Sequence, residues 1–117
     1  MNTHVAELRQ ICQYTTGAPF LVRTRVERNL FGMLNAVMLE TIGVRAISIN
    51  SPVVESQISS SDMPDTPARG LALDIAHVFE QFTYLCDTSN WSNDGQDVRI
   101  QSCRREILEL CDRFENQ

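Results

Sequence analysis

The chain has 117 residues, 43% of them hydrophobic and 21% charged, and a formal net charge of -5. This length fits one domain, and the apolar content excludes a chain that is disordered throughout. No run approaches the roughly 20 apolar residues of a membrane span, the opening residues lack a signal-peptide pattern, and the acidic balance disfavours a strong nucleic-acid binder.

The first predicted helix covers about 3–15, where Val5, Leu8, Cys12 and Thr15 recur at helical spacing with Ile11 beside them. Gly17 and Pro19 stop it. The second covers about 20–42 and carries a broad apolar stripe: Val22, Val26, Leu30, Phe31, Met33, Leu34, Val37, Met38 and Ile42. This stripe exceeds the roughly 100° arc that a peripheral helix needs. The excess predicts that part of the set Phe31, Leu34 and Met38 stays exposed as an interface, for a homodimer or for another protein. Gly32, in the middle, costs up to about 1 kcal/mol against alanine and fits a close helix crossing. Gly43 is placed to cap the C-terminus.

Val44 to Ile49 alternates weakly, with no second strand to pair with, and reads as irregular. The stretch 50–67 holds three prolines and five serines, which predicts a long mobile loop and the first site of proteolysis. The third helix opens at Thr66-Pro67, an N-cap followed by a proline at the first helical position. It runs to about 86 on a stripe of Leu71, Ile75, Val78, Phe79, Phe82, Leu85 and Cys86. A polar turn at 87–95 precedes the fourth helix, about 96–115, with Ile100, Cys103, Ile107, Leu110, Cys111 and Phe114 on one face. Four amphipathic helices need a helix-on-helix core. The expectation is an all-α single domain over 1–117: a four-helix up-down bundle of two helical hairpins joined by the Ser/Pro-rich loop.

Cys12, Cys86, Cys103 and Cys111 form no C-x-x-C, and His4 and His77 lie in different segments. No metal site and no cofactor are expected. The cysteines read as buried small hydrophobes in a reducing compartment, so the expected location is cytoplasmic, of the producer or of a host cell. All ten basic residues are arginine. Ordinary usage would supply about seven lysines. Arginine-favouring codon bias accounts for this; avoidance of an acceptor amine, in a viral protein or an injected effector, is the alternative.

Arg23, Arg25 and Arg28 lie within six residues and are the candidate nucleic-acid patch, against the simpler reading of a solvated face with intrahelical ion pairs. His77 sits on the polar face of the third helix, in Ile75-Ala76-His77-Val78-Phe79-Glu80-Gln81. Those seven residues on a helical bundle resemble the histidine phosphotransfer domain, which implies phosphoryl transfer through His77. That family places a basic residue and a glycine after the histidine, where this chain has Glu80 and Gln81. Trp91, the single tryptophan, falls in the polar turn and is a candidate interface anchor. P-loop, G-x-G-x-x-G, H-E-x-x-H, G-x-S-x-G and EF-hand patterns are absent, so an enzyme is not expected. The expected function is protein–protein interaction, as an adaptor or chaperone, an inhibitor or immunity protein, or an effector.

Overall fold

The computed structural model describes residues 2–14, 19–61, 66–88 and 98–116. Trp91 and nearly all of the predicted 87–95 turn lie outside them. The described residues form five helices and no strand: α1 Thr3–Tyr14, α2 Pro19–Ile42, α3 Ser51–Ser59, α4 Pro67–Thr88 and α5 Val98–Glu115. Four of these fall where the 3.6-residue stripes place them. None is long and apolar enough to cross a membrane.

Each long helix lies against two others: α1 packs on α2 and α5, and α4 packs on α2 and α5. Each contact also carries an ion pair. Arg25 of α2 meets Glu7 of α1 at 2.9 Å, and Arg23 of α2 meets Asp87 of α4 at 2.7 Å. Arg113 of α5 meets Asp74 of α4 at 2.7 Å, and Arg9 of α1 meets Glu115 of α5 at 2.7 Å. Half-exposed pairs of this kind are worth at most about 1 kcal/mol each, so they bias which helices meet rather than hold them together. The holding force is apolar burial by Val5, Leu8, Leu30, Met33, Leu71, Ile75, Ile100 and Ile107, all at most 2% exposed.

Leu34 and Met38 belong to the core, which corrects the expectation of an exposed interface at those two positions. Leu34 and Met38 are fully buried within the single chain, and Phe31 is half-buried against the same cluster. The reason is geometric. Because α2 sits between α1 and α4, it must be apolar towards both, and its stripe widens accordingly.

The stretch 50–67 is not one long loop, because α3 occupies its first half. Pro52 starts the helix and Val54 and Ile58, one turn apart, are buried with Ser51. Asn50 makes no side-chain cap. The cap comes from α4 instead: the Ser51 N–H donates to Glu80 Oε1 at 3.2 Å, and Ser51 Oγ shares a 3.3 Å hydrogen bond with His77 Nδ1. A carboxylate at a helix N-terminus also complements its dipole. Residues 44–49 cross from α2 to α3 without regular structure and are held by two amides. Asn35 Oδ1 accepts from the Ala46 N–H at 2.8 Å. Gln57 accepts from the Ile47 N–H and donates to the Arg45 carbonyl. Gly43, at φ +73°, ends α2 as a left-handed cap whose N–H reaches the Met38 and Leu39 carbonyls.

Gly32 marks the close approach its position suggests. A Cβ there would overlap the His4 imidazole, which lies on the bare α2 backbone. His4 Nδ1 bonds Asn29 Oδ1 at 2.9 Å, and Asn29, 2% exposed, donates to the Arg25 carbonyl at 2.8 Å. We expect Gly32→Ala to destabilise the fold although alanine is the better helix former. Propensity gains about 1 kcal/mol. The overlap with the ring costs about 1–3 kcal/mol as overpacking, a cost that removing the ring relieves, and straining the His4–Asn29 bond adds to it. His4→Ala combined with Gly32→Ala should recover part of the loss in thermal melts. A double variant no better than Gly32→Ala would contradict this.

Candidate partner-binding groove

The seam between α4 and α5 opens to solvent as a groove. On α4, Asp74, His77, Gln81 and Tyr84 follow one another at i, i+3, i+7 and i+10 and share a face. On α5, Glu106, Glu109, Leu110 and Arg113 share a face at i, i+3, i+4 and i+7. These residues, with Val78 and Glu80, line a cleft of about 680 Å³. A second hollow of about 410 Å³ shares Gln81 and Tyr84 and extends the cleft to Val98, Arg99 and Ser102. Tyr84 is 64% exposed and Val98 75%, so two large apolar side chains stand in solvent along one seam.

Four carboxylates, from Asp74, Glu80, Glu106 and Glu109, face one guanidinium, from Arg113. Asp74 is paired with that arginine, and Glu80 accepts the α3 amide. Glu106 differs: its Oε2 is buried and accepts no hydrogen bond among the described residues. A covered carboxylate oxygen without a donor is in an unfavourable state. No group of three metal-ligating side chains occurs among the described residues.

The residues singled out in the sequence distribute as follows. His77 is exposed on this groove, hydrogen-bonded to Ser51 and surrounded by carboxylates that would repel a phosphoryl donor. Arg23, Arg25 and Arg28 do not make a bare cationic patch. Arg23 is bound by Glu27 at 2.6 Å and by Asp87, Arg25 by Glu7, and Arg28 reaches Glu7 at 3.4 Å. Glu7 is held below the usual carboxylate range, first by the Arg25 hydrogen bond and then by Asn29. Leu34 and Met38 are core, Phe31 borders it, and Trp91 lies outside the described residues. Tyr84, Val98, Glu106 and Glu109 were not singled out. Their signal was present: Tyr84 breaks the polar face that His77 and Gln81 define, and Val98 falls outside the α5 stripe.

Neither a protein-family profile, nor a curated protein, nor a solved structure matches the chain. The reading of the groove therefore rests on its own chemistry.

The cysteines are part of the core and not of this chemistry. Cys12, Cys103 and Cys111 are buried, and burial pushes the first two thiols up to about 12 and the third to about 11. At pH 8 a thiol with a pKa near 12 is ionised about one part in ten thousand, so it is a poor nucleophile. Under native conditions iodoacetamide should modify the half-buried Cys86 first and the other three only on unfolding. Fast labelling of all four by intact mass would contradict the core assignment.

Proposed function

We propose that this protein is a small, non-enzymatic helical module that works by contacting another protein, with the α4–α5 groove as its contact surface. The observation that carries the reading is the pairing of Tyr84 and Val98, apolar groups left in solvent beside an open cleft. A patch of this composition is the usual mark of an interaction site. The frame fits an up-down bundle: Glu7 meets Arg25 while Cys12 and Ile11 share a hollow with Val22, and Arg23 meets Asp87 while Thr41 lies near Pro67. Adaptor, inhibitor and effector roles all suit such a module. Buried, high-pKa thiols suit a cytoplasmic setting.

Two other readings draw less support. Nucleic-acid binding needs cations available to phosphate, and those of Arg23, Arg25 and Arg28 are engaged by carboxylates. Phosphotransfer through His77 would bring an anion into a groove with an excess of carboxylates.

A photo-crosslinking amino acid at position 84, compared with one at exposed Gln10 on α1, tests the proposal in cells that make the protein. Discrete protein adducts from position 84 and none from position 10 are expected. An adduct of the chain with itself would favour a homodimeric version. No adduct from position 84, or the same adducts from both positions, would remove the reading.

A further inference from the structure

We infer that the occupant of the α4–α5 groove is an arginine-bearing, amphipathic segment of a partner protein, and that Glu106 and Glu109 receive its guanidinium. This rests on the reading of the groove as a protein-docking surface.

The groove has two unlike halves. Its Val98 end is mostly apolar, with Tyr84 and Leu85 beside Val98, and Gln81, Arg99 and Ser102 add polar groups there. Its other end is anionic, with Glu106 and Glu109 on α5 facing Asp74 and Glu80 on α4. Two of the four carboxylates are already occupied, by Arg113 and by the α3 amide. The unmet capacity is on α5, where Glu106 and Glu109 are separated by one helical turn. Glu106 is partly buried and its covered Oε2 accepts no hydrogen bond among the described residues, while Glu109 is exposed, so this pair of carboxylates is short of donors. An arginine suits this better than a lysine, being more weakly hydrated and able to bond two carboxylate oxygens at once. The two unlike ends of the cleft fit a segment that lays apolar side chains on Tyr84 and Val98 and directs arginine towards Glu106 and Glu109. The net charge of -5 adds a long-range attraction for a basic partner. A divalent cation fits less well, since no three-ligand group is assembled among the described residues.

The test is a backbone-amide NMR titration of the intact chain with three synthetic peptides of equal length. One presents leucine on one face and arginine on the other, one replaces arginine by its neutral isostere citrulline, and one replaces arginine by glutamate. The arginine peptide should shift amides within 74–85 and 98–113 and bind about tenfold or more tighter than the citrulline peptide. Glu106→Gln should remove most of that difference, and Glu109→Gln part of it. Both variants keep the shape of the side chain, and an unchanged amide spectrum elsewhere would verify folding. Added salt should weaken the arginine peptide and leave the citrulline peptide nearly unchanged. Equal binding of arginine and citrulline peptides in the groove would overturn the basic occupant and leave the docking surface standing. Shifts outside the groove, or none with any peptide, would overturn both. Calcium alone giving the same shifts, with arginine peptide without effect, would assign the carboxylates to a cation instead.

Discussion

Replacing Leu34 and Met38 together with alanine should lower the melting temperature by about 15 °C or more, or leave the chain unfolded at room temperature. Each side chain is fully buried between α2 and its neighbours. A buried leucine or methionine truncated to alanine costs about 2–5 kcal/mol, and a domain has only about 5–15 kcal/mol to lose. The same pair placed on a self-association surface would behave differently. Melting would then change little, and the sedimentation or scattering mass would fall with dilution. A stable double variant with altered association would show that the wide face of α2 is an interface after all.

Truncating Val54 and Ile58 to alanine should also be costly, about 3–5 kcal/mol for the pair, because both are at most 1% exposed under α3. In a mobile loop the same substitutions would be nearly silent. Amide exchange read by mass spectrometry separates the cases. The wild-type 51–59 segment should be protected, and the variant should lose that protection first, before α2 or α4 does. Fast exchange of 51–59 in the wild type would contradict a docked α3.

The positions of α1, α2, α4 and α5 were legible because each carries a long apolar stripe at helical spacing and a clear stop, such as Gly43 after Ile42. The helix at Ser51–Ser59 was not, because nine residues offer only Val54 and Ile58 as a repeat, and prolines and serines outnumber them nearby. Pro52 reads locally as part of a proline-rich loop, although at that position it starts a helix. The cap supplied by Glu80 is invisible to a local reading, since the two partners are 29 residues apart. The width of the α2 stripe is legible, but not what covers it: within the single chain α1 and α4 already bury Leu34 and Met38. The groove was half legible. His77 pointed to the α4 face that lines it. The opposing face of Glu106, Glu109 and Arg113 emerges only when α5 is laid against α4, where Arg113 is taken up by Asp74 and not by a carboxylate on its own helix.

A partner seated in the α4–α5 groove would shield the amides of both helices along the seam. Amide exchange of the intact protein, with and without the partner recovered by crosslinking at position 84, tests it most directly. Added protection is expected within 74–85 and 98–113, with little change along the outer face of α1. Protection confined to α1 and α2, with the α4–α5 seam unchanged, would contradict it.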